Sequence, residues 1–347
     1  MSLPSTNFLL AITTAEGGTY AAAYDRSDHW SAFDQVTPLS GNNLLVAAWQ
    51  SAAATVDDAS PANLRLSAET AGGWSGPVTV TTGVGIASFD KNAVPLLFTG
   101  TPAFLLGAGG STQPGWAFSL PLYQVDIKTG SSTSVGDLTH PSFQMKPGAL
   151  DPMDPPVAIS LASVRGTLGA LDIRLCLASA SGGLYYLSLD HASGGSFVDV
   201  KAGAGDPGNV TSVSAATGTA GLHVCVVGQV VDGGTTRYPI LHTVLHPDGT
   251  WARWGDVEKA AGGGADFAQV AVAHFATEYS DGQIRDEALH LAAITAPGGD
   301  LLYTRREGER SPDPVWQPFV SVGSKTGGLP GTPTSVDLHA TDAWIPA

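Results

Sequence analysis

Apolar residues in this chain come in short runs set between glycine-rich turns, and the runs recur in a fixed order. The first kind reads FLLAIT from Phe8, LRLSAE from Leu64, FLLGAG from Phe104, LDIRLCLA from Leu171, LHVCVVG from Leu222 and LHLAAIT from Leu289. Most precede a turn such as AEGG, SASGG, VDGG or APGG, as strands bounded by tight turns do. A second kind follows the turn: TYAAAYD, LYQVDI, LYYLSLD, ILHTVLH and LLYTRRE. The run from Leu64 has no clear second segment behind it.

Next comes an aromatic motif, W-x-x-aromatic-x-x-V, seen in HWSAFDQV, TWARWGDV and VWQPFVSV. WSGPVTV from Trp74 is a weaker copy, and SGGSFVDV and SSTSVGDL have lost the leading Trp. A fourth apolar segment precedes each new repeat: LLVAAW, PLLFTG, VAISLAS, TSVSAAT, AQVAVAH and finally TSVDLHA near the C-terminus. Four short strands repeated six times predict an all-β, six-bladed propeller. TSVDLHA has no repeat after it and FLLAIT no inner strand before it. The C-terminal strand is therefore expected to pair with the N-terminal blade and close the ring. The blades are expected at about 1–40, 41–92, 93–153, 154–207, 208–265 and 266–333, with 334–340 closing blade 1, all in a single domain.

If the aromatic motif is a strand, Trp251 and Val257 point to one face of the sheet and Trp254 to the other. Both faces of a blade are covered by neighbours, so the simplest reading is that the motif seals blade to blade. The competing reading leaves a Trp edge open in an inter-blade groove, where the apolar face of a sugar could stack.

Composition narrows the partners. A formal net charge of −15 with 16 Lys and Arg residues opposes the counterion release that drives nucleic-acid binding, and no apolar run is long enough to span a membrane. The N-terminus has no basic region followed by a long apolar stretch, so no secretory signal is visible; a soluble protein is expected, its compartment unspecified. Cys176 and Cys225 lie in apolar strand-like runs and are expected as buried free thiols. No H-E-x-x-H, G-x-S-x-G or C-x-x-C occurs, and no cofactor or metal is expected.

The LHV or LHL run, the Gly turn, the Tyr or His strand and W-x-x-[F/W]-x-x-V together resemble the repeats of tectonin-like and PLL-like lectin propellers and, more distantly, fungal fucose lectins. That resemblance covers nearly the whole chain. It implies binding of glycans, fucosylated or other, in pockets between blades built from an aromatic ring and charged or amide groups. The Trp is missing from two repeats and no Arg/Glu pair recurs at a fixed place, so six equal sites do not follow.

Chemistry is sought at the middle residue of the first run, which alternation points away from its apolar neighbours: Leu9, Arg65, Leu105, Asp172, His223 and His290. A polar group in a covered strand must find a partner or stay wet. With His242, Tyr303, Trp251 and Trp316 nearby in the repeat, the candidate ligand-binding set is His223, His242, Trp251, His290, Tyr303, Trp316 and Arg65. No catalytic residue is assigned. Arg305, Arg306, Glu307, Glu309 and Arg310 form the one dense mixed-charge run, ordinarily a solvated hairpin turn. His140, Lys146, Asp151 and Asp154 sit in a long connecting segment. A protein-interaction scaffold is the second reading. The third is a glycan- or lactone-directed hydrolase with a central acidic site, drawing on loop carboxylates such as Asp151, Asp154, Asp206, Asp232 and Asp266.

Overall fold

The computed structural model describes residues 8–25, 29–39, 41, 43–49, 52–57, 64–70, 73–79, 103–106, 109–110, 114–126, 131–139, 148–163, 173–189, 195–279, 284–309, 311, 313–340 and 343–345. It is a six-bladed β-propeller whose blades are built from antiparallel strands, with Ala343–Ile345 added in parallel to the inner strand of blade 6. In blade 4 the strands run Pro156–Ser163, Ile173–Ser179, Leu184–Leu189 and Val198–Asp199, from the innermost outward. Blade 5 has Asn209–Gly218, Gly221–Asp232, Ile240–Leu245 and Gly255–Asp256. Blade 6 has Asp266–Tyr279, Ile284–Ala296, Leu301–Glu307 and an outer strand in two pieces, Val315–Trp316 and Val320–Ser321.

The ring closes as the complementary ends required. Pro333–Ala340 is the inner strand of blade 1 and pairs antiparallel with Phe8–Thr14, setting Leu9 opposite His339 and Ile12 opposite Val336. Thr19–Tyr24 and Asp34–Gln35 complete that blade. Gly17 and Gly18, at φ 85° and 128°, make its hairpin turn in a region that side-chain-bearing residues rarely enter.

Blade 2 differs from the sequence reading. Its second strand is Ala52–Asp57, an alanine-rich run that has none of the bulky residues by which the other strands stand out, and Leu64–Thr70 is its third. Arg65 therefore belongs to a third strand, opposite Thr55, and is not the equivalent of His223 and His290. In blade 4 the equivalent is Arg174 rather than Asp172: Arg174 lies two residues before Cys176 as His223 does before Cys225, and both cysteines face a serine of the inner strand. Asp172 and the inner strand expected for blade 3 lie outside the described residues.

The aromatic motif is not one continuous strand. In blades 1 and 5 its Trp makes a single bridge to the third strand, Trp30 with Tyr24 and Trp251 with Leu245, whereas Trp316 lies in a two-residue strand, and in each a separate two-residue strand follows. The final Val begins a one-turn helix in three blades: α1 (Val200–Ala204), α2 (Val257–Ala261) and α3 (Val322–Thr326). The cause is local. Asp199, Asp256 and Ser321 stand just before those valines and accept hydrogen bonds from Lys201, Lys259 and Ser324 N–H, the N-cap arrangement that relieves unpaired helix donors. Strand-like alternation across the motif therefore does not hold, although each Val is fully buried.

Blades are joined at two levels. Between blades 4 and 5, Cys176, Leu184, Tyr186 and Val200 pack on Val213, Val224 and Val226, with Trp251 and Trp254 at the edge. Each fully buried side chain of this size contributes about 1.5–3 kcal/mol. Nearer the axis, inner-strand side chains accept hydrogen bonds from backbone N–H groups of the next blade: Ala215 to Ser160 (2.8 Å), Val272 to Ser214 (3.0 Å), Val336 to Gln269 (2.8 Å) and Ala48 to Asp337 (2.8 Å). Both cysteines are free and buried, and burial pushes the Cys176 thiol up to about 12.

Candidate inter-blade binding site

Aligned by strand register, three blade junctions carry the same construction. A polar residue of the second strand reaches a ring on the third strand, and the Trp of the following blade meets that ring edge-on. At the blade 4/5 junction, Arg174 Nη1 donates to Tyr186 Oη at 2.8 Å and Trp251 stands 5.8 Å from the tyrosine ring at 82°. At 5/6, His223 Nδ1 is 3.1 Å from His242 Nε2 and Trp316 lies 5.5 Å from the His242 ring at 86°. At 6/1, His290 Nδ1 is 2.7 Å from Tyr303 Oη and Trp30 lies 5.2 Å from the tyrosine ring at 82°. Edge-to-face pairs add about 0.5–1.5 kcal/mol beyond area burial. The tryptophans thus seal the blades, as the simpler reading held.

Three polar second-strand residues therefore each reach a third-strand ring. His223, His242 and His290 are at most 7% exposed, and burial holds their imidazoles in the neutral form. It lowers His242 and His290 to about 3 and His223 well below its ordinary value. Trp316 is buried and Trp251 half-buried; Arg65, also half-buried, lies apart in blade 2.

The 5/6 junction is filled with charge. His223 Nε2 lies 3.3 Å from Glu309 Oε2 without the alignment of a hydrogen bond, and Glu309 takes both oxygens to Arg306 Nη1, at 2.8 and 2.9 Å. His274 meets Glu287 at 2.9 Å and stacks on His223. The mixed-charge run is thus not a solvated turn: Glu309 is 6% exposed.

The 6/1 junction is open. A cleft of about 270 Å³ is lined by Tyr24 and Trp30 of blade 1 and, from blade 6, by Tyr303, Thr304, Arg305, Gln317, Pro318, Val320 and Lys325. Tyr24, Trp30 and Tyr303 form an aromatic floor with ring centroids 5.0–5.9 Å apart. Arg305 Nη1 donates to Tyr24 Oη at 3.1 Å, and its Nε meets Glu307 at 2.6 Å. Gln317 Nε2 donates to Glu307 at 2.9 Å, so one carboxylate orients two donors. Of the candidate set only Tyr303 lines this cleft. Trp30, a copy of the recognised motif, was the signal available for it; Tyr24, Gln317 and Lys325 become apparent only when strands are paired across blades.

Four of the loop carboxylates have local partners. Asp154 accepts from Ser181 N–H, Asp206 pairs with Lys201 at 2.8 Å, Asp266 with Arg237 at 2.9 Å, and Asp151 accepts from Met153 N–H. His140, Lys146 and Arg310 fall outside the described residues. Among the described residues no group of three or more His, Cys, Asp or Glu side chains is placed to hold a metal ion, and no helix is long and apolar enough to cross a membrane.

No family model and no curated protein matches this chain. Solved structures do. A triple Arg-to-Ala variant of AofleA from Arthrobotrys oligospora superposes with a TM-score of 0.58 at 13% identity, over 98% of this chain and 88% of that one. The fucose-specific lectin from Aleuria aurantia superposes with a TM-score of 0.51 at 12% identity, over 94% and 98%. At these identities the likeness is one of fold, and the chain shares the propeller architecture of fungal lectins.

Proposed function

We propose that this protein is a carbohydrate-binding propeller that holds a sugar in the cleft between blades 6 and 1 and performs no chemistry on it. The cleft itself carries the reading: an aromatic floor beside oriented donors is what a pyranose, with one apolar face and a rim of hydroxyls, requires. Its volume of about 270 Å³ lies just below the roughly 300–1,000 Å³ of small-molecule clefts and suits one sugar ring. The resemblance of the repeats to tectonin-like and PLL-like lectins supports the same reading, as does the propeller shared with fungal lectins. A shallow cleft of this size implies weak monovalent affinity, raised by clustering of ligand.

Binding to a glycan array followed by calorimetry tests it. Arg305→Ala is expected to abolish the calorimetric signal while leaving the denaturation midpoint near that of the parent, because the arginine lines the cleft and is only half-buried. Absence of glycan binding at millimolar concentration would overturn the lectin reading and leave the interaction-scaffold reading in its place.

A further inference from the structure

The polar lining of the 6/1 cleft is one-sided. On a chain of net charge −15, its charged lining residues are Arg305 and Lys325, beside the neutral polar Gln317, the tyrosine hydroxyls and Thr304, whose hydroxyl donates to the Gln317 carbonyl. Lys325 sits in the last turn of α3, exposed, and makes no ion pair or hydrogen bond among the described residues. The neighbouring carboxylate, Glu307, does not line the cleft. It is engaged with Arg305 Nε and Gln317 Nε2, so it offsets one of the two cations and leaves the other uncompensated. A neutral sugar would need acceptors as well as donors around its hydroxyls, which both give and receive hydrogen bonds. This lining is weighted towards donors.

We propose that the cleft selects a saccharide bearing an anionic group, a carboxylate or a sulfate, with the ring over Trp30 and Tyr303 and the anion between Arg305 and Lys325. This rests on the carbohydrate reading and goes beyond it by fixing the ligand's charge. Arginine supplies planar N–H pairs for either oxyanion and lysine a mobile point charge. A charge-assisted hydrogen bond is about twice as strong as a neutral one.

The test is calorimetry of the intact chain at low salt with methyl β-glucuronide, glucose 6-sulfate and methyl β-glucoside. At least one anionic sugar is expected to bind about tenfold more tightly than the glucoside, the worth of one charge-assisted bond over a neutral one, and the two anions tell carboxylate from sulfate. Raising the salt should erode that advantage and spare the glucoside. Lys325→Gln, at an exposed position, should weaken the preferred anionic sugar about three- to fivefold, as an exposed ion pair allows, and lower the ratio of anionic-sugar to glucoside affinity by a similar factor. Equal or tighter binding of the glucoside overturns the anionic preference but leaves the lectin reading standing; binding by none of the three, together with a silent glycan array, overturns both.

Discussion

Asp337 occupies a place in blade 1 that serine occupies in blades 4 and 5. It faces Ala11 as Ser160 faces Cys176 and Ser214 faces Cys225, and like them it accepts from the next blade's backbone. A carboxyl here is 8% exposed, and burial pushes it up from 3.8 to about 7. Native protein therefore holds this proton over a range in which the unfolded chain has released it. The favourable term is complete below pH 3.8 and is lost as the pH rises through about 7, at up to about 1.4 kcal/mol per pH unit, or about 4 kcal/mol in all. Asp337→Ser keeps an acceptor and removes the titration. Urea unfolding of both proteins at about pH 5.5 and 8, above the pI of about 4.7, should show the variant gaining about 2 kcal/mol on the parent between the two conditions. Histidine and other carboxylate contributions cancel in that difference. A stability gap that does not change with pH would refute the assignment of a buried, proton-holding Asp337.

Trp316→Ala removes a ring that is 8% exposed and packed on His242, so it should cost about 3–5 kcal/mol; an unchanged denaturation midpoint would show that the motif does not seal the blades. Deleting everything after Pro333 removes almost the whole inner strand of blade 1 and the Asp337 link to blade 2. Cooperative thermal unfolding is expected to disappear, and a truncated protein melting like the parent would refute ring closure.

The fold was legible because each blade repeats its apolar runs and because the two ends complement each other. Where a strand has no distinctive side chains, as in Ala52–Asp57, the pattern could not announce it, and Leu64–Thr70 shifted one place in the count. The helices after the aromatic motif were signalled by Asp199, Asp256 and Ser321 ahead of valine, but five residues of helix are too few to show a 3.6 period. The histidines were found as polar residues in covered strands. His242 and Tyr303 were found beside them but not as their partners, because His223 reaches His242, and His290 reaches Tyr303, across a register that only pairing reveals. The open cleft was least legible, since it is made where two blades distant in sequence meet: Tyr24 and Trp30 from one end of the chain, Arg305 and Lys325 from the other.

That closure also sets an order of events during synthesis. The partner of Phe8–Thr14 is Pro333–Ala340, so Phe8–Thr14 leaves the ribosome long before the strand it pairs with. Contacts so distant in sequence are slow to form because loop closure precedes any return in contact energy. Blades 2 to 6 can assemble as their own strands emerge, whereas blade 1 spends that time with an unpaired edge, the part of a sheet most prone to pair with another chain. The cleft between blades 6 and 1 is thus completed last, and a chain that has not closed its ring does not form it.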